Sequence, residues 1–188
     1  YNWTCCRNGN YGNKLITNEV KDRFDRNIQL IEFENNDRHI SFLGVKHLIP
    51  GNHDIGDKPS KWVPAKEISS QSISKYRSYF GTDFQSFNHK GWQFVLLNAE
   101  LFNSDLENND SQKKWLENEL KNFPIGRTIV SIHYPPFLYS SDETDHYDNL
   151  SPNDRDWLLN NFSKYKVPLV LSGHFTIFGI TRLNQPIF

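Results

Sequence analysis

The chain has 188 residues, with 21 Lys and Arg set against 22 Asp and Glu for a formal net charge of −1. That balance gives no broad field of the kind that steers nucleic acid or a membrane surface, and no apolar run approaches the ~20 residues that span a bilayer. Apolar residues make up 37% and aromatic ones 14%, which excludes a disordered chain and predicts one domain over residues 1–188 with a substantial core.

At the N-terminus, Cys5 and Cys6 are adjacent; a bridge between them would be strained, and they form no zinc-ligand spacing. The chain contains no Met, which predicts that it is part of a longer protein, with segments before Tyr1 and after Phe188. Asn2-Trp3-Thr4, Asn109-Asp110-Ser111 and Asn161-Phe162-Ser163 match a glycosylation acceptor pattern, as chance alone produces in an Asn-rich chain.

The first helical stripe is Val20, Phe24, Ile28 and Ile31. An apolar run from Phe42 to Ile49 reads as a strand. Ile73, Tyr76 and Phe80 form a second stripe, closed by Gly81. Thr82 to Asn88 is a fainter strand, joined to Gly91 to Leu97 by a turn near Lys90-Gly91. Leu116, Leu120 and Phe123 predict a third helix, with Asp110 or Ser111 as N-cap and Pro124 as terminator. The strand from Thr128 to Ile132 follows. The fourth helix has Ser151 as cap, Pro152 in its first position and acids in its first turn, with Leu158, Phe162 and Tyr165 on its apolar face. A last strand runs from Pro168 to Leu171. This alternation predicts an α/β fold with sheets covered by helices.

Three of these strands run into metal-binding types of side chain. Phe42 to Ile49 leads to Gly51-Asn52-His53-Asp54, Thr128 to Ile132 leads to His133-Tyr134-Pro135-Pro136, and Pro168 to Leu171 leads to Gly173-His174. Ligands in α/β sheets gather beyond the carboxyl ends of strands, so the three groups are expected to converge. Neutral imidazole suits zinc, iron or manganese, and an Asn carbonyl suits harder ions. Each group alone is better explained by a turn, a strand end or a core histidine. Their order, each after an apolar strand, favours a site.

Gly51-Asn52-His53-Asp54, His133 with its two prolines, and Gly173-His174 resemble three signature blocks of the calcineurin-like metallophosphoesterases. Gln112-Lys113-Lys114-Trp115-Leu116 resembles a supporting helix of that family. The resemblance implies a four-layer αββα sandwich of two mixed sheets flanked by helices, incomplete here at the N-terminus and at the C-terminus. It also implies a centre of two divalent ions (Mn, Fe or Zn) that hydrolyses phosphomonoesters or phosphodiesters, on a small-molecule or macromolecular substrate. Carried over by position, Asn52, His133 and His174 are ligands of one metal, His53 contacts the phosphate and protonates the leaving oxygen, and Asp54 orients His53.

Two departures qualify the match. The opening Asp-x-His and Gly-Asp blocks do not occur before Asn52, and Asp22, Asp25 and Asp37 do not follow strands in that manner. Thr176 stands where a second ligand histidine is usual. Thr176 supports an alternative reading, a non-catalytic relative with a degenerate metal site that serves as a binding or structural module. A zinc peptidase or deaminase has no support, as neither His-Glu-x-x-His nor Cys-x-x-Cys occurs. Asp142 to Asp148 reads as a solvated acidic loop, with an overhang above the site as the alternative.

Overall fold

The computed structural model describes residues 47–59, 66–174 and 179–181. The helix expected over Val20 to Ile31 lies outside the described residues, as do Thr176 and most of the strand expected over Phe42 to Ile49. The final residues of that strand, from His47 onward, have no regular structure.

After one short helical turn, α1 (Asn52–Ile55), comes α2 (Ser70–Phe80). Ser69 caps α2 by accepting from the Ser72 N–H, while Ile73 and Tyr76 turn inward. A hairpin follows, β1 (Gln85–His89) and β2 (Trp92–Leu97). Its two turn residues, Lys90 and Gly91, have φ of 48° and 78°, the pair of left-handed conformations that matches the strand twist. The third helix, α3 (Glu107–Lys121), leads to β3 (Thr128–Ile132), and α4 (Pro152–Lys164) leads to β4 (Leu169–Ser172) and β5 (Gly179–Thr181).

One helix start departs from the sequence reading. α3 begins a turn before Asp110, with Leu106 at the cap, because Asn109 is buried and donates to Ser104 O and Asp154 inside the fold. α4 starts as expected, with Ser151 at the N-cap position and Pro152 next, although the Ser151 hydroxyl donates to Asp145 rather than accepting from a helix amide.

These strands form one sheet in the order β1-β2-β3-β4-β5, in which β2, β3 and β4 are parallel and both edges are antiparallel. The α3 and α4 crossovers account for the parallel centre. Val95, Leu97, Val130, Ile132 and Val170 pack with Leu116, Leu120, Leu158 and Phe162 of the helices in one core. Strand alternation sends Leu96 and Ser131 to the opposite face, and they are buried as well. A second cluster joins Ile55, Ile68, Ile73, Tyr76 and Leu101 beneath α2. The register pairs Leu97 with Ile132 and Ile132 with Ser172, so the three central strands end level and the residues after them share one edge.

Candidate metal centre

His133 is the first residue beyond β3, and Gly173-His174 follow β4 directly. The Gly173 N–H donates to His133 O at 3.0 Å, so the sheet ladder continues one step into the site. Gly51 lies flat against the His133 ring. A Cβ at that position would stand 2.8 Å from Cε1 and 2.9 Å from Nε2, closer than van der Waals contact allows. Any larger residue at 51 would therefore have to displace the His133 ring.

Three donor atoms meet here. His133 Nε2 is 3.1 Å from Asn52 Oδ1 and 3.2 Å from His174 Nδ1. Donors bound at ~2.1 Å to one tetrahedral or octahedral ion stand about 3.0–3.4 Å apart, so each of these two separations is compatible with donors that share a divalent cation. Among the described residues no set of three His, Cys, Asp or Glu side chains is grouped to hold a metal; this cluster reaches three donors through the Asn52 amide. His174 has a φ of 69°, a left-handed conformation that a non-glycine residue holds only when its surroundings impose it.

Burial first, and then the nearby His174 and His53, lower the His133 pKa to about 4. Burial also lowers that of His174, against an upward pull from Asp148. Both rings are thus neutral near neutral pH, the state in which imidazole has a lone pair for a metal. The two remaining sequence candidates, His53 and Asp54, are exposed on α1. Asp54 accepts from the Gly51 N–H at 2.9 Å, and among the described residues no hydrogen bond joins it to His53.

Further groups at the site were not singled out by sequence. Asp57 is buried and accepts from the Tyr134 hydroxyl at 2.6 Å, from Asn52 Nδ2 at 3.3 Å and from the Tyr147 hydroxyl at 3.5 Å. With Asn52 Nδ2 also donating to the Tyr147 hydroxyl at 2.9 Å, both amide protons are directed away from His133 and Oδ1 is left facing it. Burial drives the Tyr134 pKa far up, beyond the titrating range of an ordinary tyrosine. Lys58, fully buried, donates to His146 O and Asn149 O. Glu100 is fully buried, and neither carboxyl oxygen has a partner among the described residues; burial, then repulsion from Asp57, raises its pKa well above the usual range.

The reading of Asp142 to Asp148 as a solvated loop needs correction. Asp142 and His146 are exposed, but Glu143 accepts from the Leu138, Tyr139 and Ser140 amides and from Asn149. Tyr147 and Asp148 reach the three-donor cluster, Asp148 Oδ1 lying 3.1 Å from His174 Nε2. The one sequence signal was an acidic run shortly after a strand-end histidine.

The sequence model of the family described as calcineurin-like phosphoesterase matches residues 11–177. The chain belongs to the calcineurin-like phosphoesterase family. A serine/threonine-protein phosphatase CPPED1 from Danio rerio is 30% identical over 145 residues, covering 74% of this chain and 43% of the relative. The CPPED1 from Homo sapiens is 31% identical, covering 68% and 40%. A 3',5'-cyclic-nucleotide phosphodiesterase from a Nostoc species is 24% identical, covering 76% and 48%. The chain thus spans less than half the length of these relatives. No solved structure matches it.

Proposed function

We propose that this chain supplies one half of a dinuclear metal centre and that the complete protein hydrolyses phosphomonoesters or phosphodiesters. The observation that carries the reading is the convergence of Asn52 Oδ1, His133 Nε2 and His174 Nδ1 within 3.2 Å steps. These three residues hold one divalent ion, Mn, Fe or Zn. The two ions, when bound, supply activation of a water and neutralisation of charge on the phosphoryl oxygens. Asn52 contributes oxygen because Asp57 and Tyr147 take its amide protons. His133 keeps its lone pair because burial opposes its protonation.

His53 adjoins Asn52 and faces solvent. It contacts the substrate phosphate and delivers a proton to the leaving oxygen. Asp54 orients it by tying the start of α1 to the Gly51 N–H. The relatives' names cover a protein phosphatase and a cyclic-nucleotide phosphodiesterase; what we extend to this chain is phosphoester hydrolysis, on a small-molecule or macromolecular substrate. We extend the family architecture too: one domain, as a four-layer αββα sandwich whose second mixed sheet covers the face bearing Leu96 and Ser131.

Thr176 favours a second reading, a metal-binding relative without catalysis, since a hydroxyl is a much weaker ligand than imidazole. Calorimetric titration with Mn²⁺ tests the shared part. Saturable binding by the parent and not by His133→Ala is expected; equal binding by both would refute the ligand set. Turnover of p-nitrophenyl phosphate and its diester then separates the readings. In an active protein His53→Ala lowers turnover about 10²-fold or more while metal affinity stays unchanged. Metal binding without turnover, with activity gained by Thr176→His, supports the degenerate site.

A further inference from the structure

His174 is enclosed by aromatic rings. The Tyr134 centroid lies 4.2 Å from its own, that of Tyr147 5.0 Å and that of His133 5.1 Å. These neighbours restrict where the ring sits, but a ring so placed still has two tautomers, and they differ in what Nδ1 presents to His133. Two directional polar contacts bear on the choice: Nδ1 faces His133 Nε2 at 3.2 Å, and Nε2 faces a carboxylate. His174 Nε2 stands 3.1 Å from Asp148 Oδ1.

We infer that Asp148 is a positioning residue that holds His174 as the Nε2–H tautomer, so that Nδ1 points its lone pair at the three-donor cluster. An ionised carboxylate only accepts hydrogen bonds, and a neutral imidazole carries one N–H. Contact with Asp148 therefore places that hydrogen on Nε2 and leaves Nδ1 bare, 3.2 Å from His133 Nε2. Asp148 is itself well placed for this. Its second oxygen faces His146 Nδ1 at 3.3 Å. The chain around it is held from beneath, where Lys58 donates to His146 O and Asn149 O.

The loop and β4 are thereby linked through one hydrogen bond whose effect is on a proton position rather than on stability. A carboxylate behind a ligand histidine fixes ring orientation and raises ligand basicity, and its loss typically costs ~10–100-fold in metal affinity. The inference rests on His174 being a ligand for its consequence, but not for its test.

The test is the His174 tautomer in the metal-free 188-residue chain, read from long-range proton–nitrogen NMR correlations at about pH 7.5, where the ring is neutral. The parent should show Nε2–H alone. Asp148→Ala should give a mixture, and Asp148→Asn, whose amide both donates and accepts, should also weaken the preference, while Asp148→Glu restores it in part. An unchanged Nε2–H tautomer in Asp148→Ala and Asp148→Asn would overturn the proposal. Mn²⁺ titration of the same proteins tells this failure from that of the metal reading. If the parent binds no Mn²⁺ but Asp148→Ala still mixes the tautomers, the metal centre fails and the positioning role stands. If the parent binds Mn²⁺, Asp148→Ala should bind about 10-fold more weakly or worse.

Discussion

At the strand ends, backbone does the positioning. Gly51 lies against the His133 ring, the Gly173 N–H extends the ladder to His133 O, and the level register of β2, β3 and β4 brings the residues to one edge. Along residues 137–150 side chains do it instead. The Glu143 carboxylate gathers the amides of Leu138, Tyr139 and Ser140, while Lys58 and Arg155 reach in to hold the carbonyls of His146, Asn149, Glu143 and Leu150. One region is fixed by regular structure, the other by buried cations and a single carboxylate. Both deliver groups to the same cluster, so each can be perturbed while the other serves as reference.

Asp57 joins the two, and its removal has the largest expected effect. It accepts from Asn52 of the first region, from Tyr147 of the second and from Tyr134, which follows His133. Asp57→Ala leaves the buried Tyr134 hydroxyl unpartnered and deprives buried Lys58 of a nearby counter-charge. A loss of about 3–5 kcal/mol is expected, measured by urea denaturation with Asp57→Asn as the milder comparison. A loss below about 1 kcal/mol would mean that the regions are held independently.

Acid separates the regions next. The folded-state pKa of His133 is lowered to about 4 from 6.5, so the unfolded chain takes up the proton first. Stability is full above about pH 6.5 and falls as pH drops towards 4, by about 3 kcal/mol from this ring. Glu143 in the loop is also shifted down: burial pushes it up, but hydrogen bonds from Asn149 and three amides outweigh that. Its contribution is therefore present above the ordinary glutamate pKa and is lost only at lower pH. Glu100 acts oppositely, since its raised pKa makes its contribution fade as pH rises. The readout is consequently the difference in stability between the parent and His133→Gln, which should change between about pH 6.5 and about pH 4 and stay level above. A difference that is flat across that window would show the ring to be hydrated in solution.

What was legible in the sequence follows the same division. Asn52, His133 and His174, which the structure brings together, were legible because each stands after a glycine or an apolar strand, and the periodicity that predicts a strand also predicts where its end lies. The helices α2, α3 and α4 and the hairpin turn at Lys90-Gly91 were readable for the same local reasons. Asp57 and Glu100 were not, and Tyr147 and Asp148 only as part of an acidic run, because their roles depend on partners distant in sequence or on burial, which leave little local pattern. Asp148 meets His174 across 26 residues, Asp57 meets Tyr134 across 77, and Tyr147 meets Asn52 across 95. The start of α3 was misread where a tertiary hydrogen bond at Asn109 outweighed the local preference.

Lys58→Met gives the smallest change in total stability and the sharpest test of how independent the regions are. The substitution removes two hydrogen bonds to carbonyls and a 3.7 Å ion pair with Asp145. It also removes a buried cation whose pKa burial has already pushed down, against the pull of Asp145, Glu100 and Asp57. The two effects oppose each other, so a net loss of only about 2 kcal/mol is expected. Hydrogen exchange locates it. The His146 amide, which donates to Asn149 Oδ1, and the Leu150 amide, which donates to Pro135 O, should exchange faster. The Gly173 amide, bonded to His133 O, should keep its protection because β3 and β4 hold it without help from Lys58. Equal loss at Gly173 would mean that the strand ends depend on the loop's cation, and the regular structure around His133 would then be insufficient to form the cluster alone.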